Sequence, residues 1–225
     1  MADPHQLLHD ALNVLDATFA SHAELPIAVG GCTYCYGEAD LEALAGPVRE
    51  IPQELISHVA HEVPDHWDDF PGLYRKLTPR IVRRLVADGL IHDMVASRLL
   101  TAGWRNWTAP ERTALENVWH AWWRSVLSTH PSTGSVIDVL ETLAVTTGTL
   151  APWLAIWSET RTEAADLHLS DALDWWLIED GLADLHLGFY DEVHATPELL
   201  PWLLSLEDSR IGAAQLMEVE RISYS

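Results

Sequence analysis

Leu8, Ala11, Leu12, Leu15 and Phe19 recur at three- and four-residue spacing, which predicts an amphipathic helix over residues 4–20. The same period returns along most of the chain. Residues 21–36 break it and read as an extended connection. A short helix is predicted over 38–45, ended by Gly46-Pro47, and Pro52 opens another that runs to about Val63. Thr78-Pro79 reads as an N-cap followed by a first-turn proline, with Gly89 as the stop. Residues 90–102 continue as a helix to Gly103. Thr108-Ala109-Pro110-Glu111 is a capping-box pattern, and its helix should reach about Leu127. Ser135 can cap 136–147, with Gly148 after it. Thr149 or Ala151-Pro152 opens the next, to about Thr160. Residues 163–180 read as a long helix ended by Gly181, and 182–194 as a further one. Thr196-Pro197-Glu198 opens another, and 208–219 is the last. Strand signals are poor, because no Asn-Gly or Asp-Gly hairpin separates alternating apolar runs. The expectation is an all-α fold of ten or eleven helices, α-solenoid-like or an irregular orthogonal bundle. Without a linker or a strict repeat, residues 1–225 read as a single helical domain.

Charge narrows the function classes. Thirteen Lys plus Arg against 34 Asp plus Glu give −21 at neutral pH, which argues against nucleic acid and anionic lipid as partners. No apolar run approaches the ~18–20 residues that span a bilayer. The N-terminus lacks the positive start and apolar stretch of a signal peptide, so a soluble cytoplasmic protein is expected. Cys32 and Cys35 are the only cysteines, which excludes a disulfide scaffold and any four-cysteine metal site within one chain.

Several segments occur in a telling order. Cys32-Thr33-Tyr34-Cys35 is followed by Trp67-Asp68-Asp69-Phe70 and Pro79-Arg80-Ile81. Ala102-Gly103-Trp104-Arg105-Asn106-Trp107 then precedes Glu111, and Leu150-Ala151-Pro152-Trp153-Leu154 precedes Trp157. Over roughly residues 19–170 the chain resembles an uncharacterised family of bacterial all-helical proteins, which carry a C-x-H-C pair, a D-D-F segment leading to L-P-R, and an A-G-W-x-x-W segment before a Glu. Tyr34 stands where that family has His, and Thr78 where it has Leu. The resemblance implies an all-helical fold and no particular chemistry.

Four groups of residues are candidates for function. The C-x-x-C of Cys32 and Cys35 suits thiol–disulfide exchange, or zinc if His58 and His61 complete the ligand set. The alternative is a reduced pair that only packs a loop. Trp104, Trp107, Trp119, Trp122 and Trp123 are spaced as core residues. Because the adjacent Trp122 and Trp123 cannot point the same way, a ring edge is expected to line a groove. Arg80, Arg83 and Arg84 share a helix face and form either an anion site or internal salt bridges. Two acidic, His-rich segments, 61–69 and 179–194, hold either a divalent metal or a solvated face; neither shows the Glu-x-x-His pattern of a di-iron bundle.

No nucleophile elbow, Walker A loop or dinucleotide fingerprint is present, and no catalytic residue is assigned. The leading expectation is a non-enzymatic protein-binding module or adaptor with Trp-lined grooves and a protein partner. The alternative is a metal-binding or redox enzyme using the C-x-x-C, with zinc as the possible cofactor. A further alternative is an acidic immunity or nucleic-acid-mimic protein.

Overall fold

The computed structural model describes residues 3–24, 26–132, 134–207 and 209–224. Among them lie eleven α-helices, four short 3-10 segments and a pair of two-residue strands, so the chain is all-helical. None of these helices is long and apolar enough to cross a membrane. Contacts group the chain into two compact units, residues 1–121 and 122–225.

The first unit contains α1 (Pro4–Glu24), α2 (Glu38–Ala45), α3 (Gln53–His61), α4 (Phe70–Val86), α5 (His92–Thr101) and the start of α6 (Ala109–Leu127). Helix α4 lies at its centre and packs on α1, α3 and α5. It buries Leu73, Leu77, Ile81, Val82 and Leu85 at helical spacing. The start expected at Thr78-Pro79 is corrected. Asp69 caps α4 by accepting from the Gly72 N–H, and Thr78 and Pro79 lie in mid-helix. There the Thr78 hydroxyl donates to the Tyr74 carbonyl, which stops it acting as a cap. A mid-helix proline sacrifices a backbone hydrogen bond. Burial of the whole 76–79 stretch offsets that cost.

The scarce cations serve this unit internally. Lys76, the only lysine, is 2% exposed and donates to the carbonyls of Leu44, Ala45 and Gly46, closing the C-terminus of α2. Burial pushes its ammonium below the ordinary lysine value. Amine-acetylating reagent is therefore expected to spare Lys76 in the native protein and label it only as the fold opens. Mass mapping checks this. Rapid labelling in native buffer would contradict the buried placement, because only enclosure shields the amine from the reagent.

The second unit contains the end of α6, α7 (Val136–Thr147), α8 (Ala151–Glu159), α9 (Glu163–Trp176), α10 (Thr196–Leu204) and α11 (Ala213–Ser223). Ser135 caps α7 and Gly148, in the left-handed region, ends it, as the sequence predicts. Trp157 is the hub of the core. Its ring meets Trp123 edge-on at 5.3 Å, Trp176 at 6.4 Å and Trp202 at 5.4 Å. Its indole N–H donates to the Ala165 carbonyl, and that of Trp123 to the Trp153 carbonyl.

Two expectations fail between α9 and α10. The helix predicted to reach residue 180 stops at Trp176, because Glu179 and Asp180 turn to positive φ inside a 3-10 segment. The helix predicted over 182–194 is replaced after that segment by a small antiparallel pair, β1 (His186–Leu187) and β2 (Val193–His194). Gly188 sits at φ +99° in the connecting turn, where a Cβ would strike the Glu192 carboxylate.

Candidate functional site

The β1–β2 pair creates the most distinctive chemical grouping on the chain. Directly paired residues of antiparallel strands lie opposite each other. His186 pairs directly with His194, and their rings stack at 4.6 Å with an interplanar angle of 3°. Asp184 ends the 3-10 segment two residues before His186. One of its carboxylate oxygens, Oδ1, lies 3.3 Å from Nε2 of both imidazoles. All three side chains are exposed.

The support beneath the triad is well bonded. The Ala195 N–H donates to the Leu185 carbonyl. The Thr196 hydroxyl accepts from the Leu185 N–H and donates to the Leu182 carbonyl. Leu187 and Val193 point inward as the buried partners of the pair. At the turn, the Gly188 N–H donates to the Glu141 carboxylate on α7, which ties the hairpin down.

A groove of about 330 Å³ runs beside His186, lined by Asp138, Glu141, Trp175, Trp176, Leu185 and others. Trp175 is 62% exposed and forms an open aromatic wall. Trp176 is buried, and its indole N–H has no hydrogen-bond acceptor among the described residues. The groove therefore combines imidazole, carboxylate and aromatic surface.

His130, His168 and Asp171 form a second group whose ligand-type atoms also lie within 4.8 Å of one another. Here each ring is already engaged. His130 Nε2 is 2.7 Å from the Asp171 carboxylate, and His168 Nε2 donates to the carbonyls of Val126 and Thr129. Burial is the main cause that lowers the His168 pKa, so the ring is held neutral. This group fastens the loop after α6 onto α9.

The residues singled out by sequence have other placements. Trp104, Trp107, Trp119, Trp122 and Trp123 are each at most 6% exposed, so they build core and present no groove. The adjacent Trp122 and Trp123 both find burial because α6 is covered on more than one face. Arg80, Arg83 and Arg84, read from sequence as either an anion site or internal salt bridges, have partners within the fold. Arg80 donates to the carbonyls of Val48 and Ile51 and to Gln53. Arg83 binds Asp16 and Asn13, and Arg84 binds Ser57 and the Gly89 carbonyl. Cys32 and Cys35 are reduced, with sulfurs 3.4 Å apart. Among the described residues, His58 and His61 do not join them in a metal-capable group. His61 Nε2 instead accepts from the Ile91 N–H at 2.9 Å, and His58 is exposed on α3.

The acidic, His-rich segment 179–194 contains all of the exposed triad, although a helical reading hides its geometry. The clustering of Asp184, His186 and His194 within eleven residues is the available signal. His168 and Asp171, three apart on α9, give a similar hint that the search for Glu-x-x-His passes over. No protein-family model matches the chain, no curated protein matches it, and no solved structure matches it.

Proposed function

We propose that this chain is a divalent transition-metal protein whose ion is held by Asp184, His186 and His194 at the mouth of the Trp175 groove. The carrying observation is the convergence of two imidazole nitrogens on one carboxylate oxygen, each at 3.3 Å. Ligands at about 2.0–2.1 Å in a tetrahedral shell stand about 3.3 Å apart, so two edges of such a shell already exist. The stacked rings must splay to aim both nitrogens at one ion, and their exposure permits that rotation. Two nitrogens and one oxygen suit zinc and its neighbours better than magnesium or calcium.

Three protein ligands leave coordination positions open, as catalytic zinc sites do and closed structural sites do not. An ion there would polarise a ligand oxygen or a bound water. The groove beside it supplies an aromatic wall at Trp175 and carboxylates at Asp138 and Glu141. This reading moves the functional surface from the buried tryptophans of α6 to the hairpin, and from a partner-binding groove to metal chemistry.

Zinc titration of chelator-treated protein by calorimetry is expected to give one site per chain. His186→Ala and His194→Ala should each weaken it at least about tenfold, and binding should weaken in acid because protons compete for the imidazoles. His130→Ala should leave it unchanged. Loss of binding in His130→Ala with retention in His186→Ala would assign the ion to the other triad and overturn the proposal.

A further inference from the structure

The C-x-x-C turn belongs to the first unit and takes no part in the proposed metal site. It is a tight turn with a firm base. The N–H groups of Cys35 and Tyr36 both donate to the Cys32 carbonyl, at 3.1 and 3.0 Å. On the entering side, the Cys32 N–H donates to the His66 carbonyl and the Asp68 N–H to the Gly30 carbonyl. Gly31 forms a bridge with Trp67 in this close approach, where a Cβ would stand 2.6 Å from the His66 carbonyl oxygen. On the leaving side, the Tyr36 ring packs on Trp67 at 4.4 Å and its hydroxyl donates to Glu62 at 2.8 Å. Both strands of the turn are thus anchored to 62–68, and the two thiols project from it.

We infer that Cys32 and Cys35 form a dithiol–disulfide pair that reduces an external disulfide of neutral or cationic character. Three observations carry this. The sulfurs are 3.4 Å apart, so a shift to about 2.05 Å closes the bond. Cys35 is exposed and Cys32 is half-buried, so an incoming disulfide can reach the pair. Glu62 lies near both thiols in a chain of charge −21, which disfavours an anionic approach.

The sulfurs have distinct roles. The two sulfurs share a hydrogen bond, which lowers the Cys32 pKa and raises that of Cys35, and hydrogen bonds with the backbone of Cys35 and Tyr34 lower Cys32 further. The Cys32 thiolate attacks one sulfur of the external disulfide, breaking its S–S bond and releasing one thiolate. Cys35 then loses its proton and attacks the Cys32 sulfur, forming the internal disulfide and releasing the second thiolate. Two protein thiols are oxidised, one disulfide is reduced, and the protons pass to the two released thiolates.

Cystamine, a cationic disulfide, and glutathione disulfide, an anionic one, are the probes. Wild-type protein treated with cystamine should become two hydrogens lighter and carry no adduct. Cys35→Ser should keep one cysteamine adduct, and Cys32→Ser should react at least about tenfold more slowly. Cystamine should outpace glutathione disulfide, with the ratio falling as salt rises. The wild-type mass needs no variant and stays decisive if a variant misfolds. Retention of two adducts on wild-type protein overturns the pair, and equal rates with the two probes overturn the charge selection.

Discussion

Glu111→Ala is expected to destabilise the first unit by about 3–5 kcal/mol, the range for breaking a buried ion pair. Glu111 is 2% exposed at the start of α6. Its carboxylate accepts from Arg75 Nε at 2.9 Å and Nη2 at 2.6 Å. It also accepts from the Thr108 N–H and hydroxyl, and His22 Nε2 stands 3.1 Å away. Removing the carboxylate strands a guanidinium and two donors at once. The urea midpoint should fall by about 1–2 M, and a fall under about 0.3 M would mean that these donors find other acceptors. Acid should act through the same group. Burial raises the Glu111 pKa, but the hydrogen bonds from Arg75 and Thr108 together outweigh it and hold the value low. Its contribution is therefore complete above the unfolded value of about 4.3 and disappears as pH falls through the lower folded value. Glu111→Gln should remove that part of the acid sensitivity.

Arg210→Met should cost a comparable amount in the second unit, about 3–5 kcal/mol. The guanidinium is 3% exposed and binds Asp166 through Nε at 2.6 Å. Nη1 donates to the carbonyls of Trp157 and Ser158, and Nη2 to that of Thr160, all at 3.2 Å. One side chain thereby closes the C-terminus of α8 and pairs with α9. Arg210→Lys should recover less than half of the loss, because a single ammonium cannot cover the spread of a planar fork. Hydrogen exchange at the α8 amides reads the effect locally. Full rescue by lysine would show that charge alone, without the fork, holds this end.

The sequence marks the helices best where their boundaries depend on local chemistry. Ser135 and Gly148 bracket α7 because a cap hydroxyl and a left-handed glycine act within one turn of the chain. Glu111 returns to the Thr108 N–H as the capping pattern predicts, although the Thr108 hydroxyl donates to Glu111 as well. Thr78-Pro79 misleads because tertiary burial overrides the local signal: α4 is long, central and apolar on several sides. The hairpin escapes detection because two-residue strands are too short to show alternation. Its positive-φ residues, Gly188 and Asp191, are needed only once the strands pair.

The candidate site is legible as composition and hidden as geometry. The segment 179–194 announces its histidines and carboxylates, but the pairing of His186 with His194 depends on a turn of the backbone. The tryptophans show the reverse relation. Their helical spacing correctly marks a core, while the groove inferred from the Trp122-Trp123 adjacency ignores that α6 has neighbours on more than one side.

The cations have one further consequence. Lys76, Arg98 and Arg210 are buried, while Arg80, Arg83 and Arg84 donate to groups of the fold. Part of the positive charge that enters the sum of −21 is thus enclosed, while most acidic residues face water. Toward its surroundings the molecule behaves as a polyanion with an atmosphere of small cations. Copies in dilute salt should repel, giving a positive second virial coefficient that falls as salt compresses the atmosphere. The same atmosphere enriches divalent ions near the surface, so the local supply at Asp184, His186 and His194 exceeds the bulk concentration.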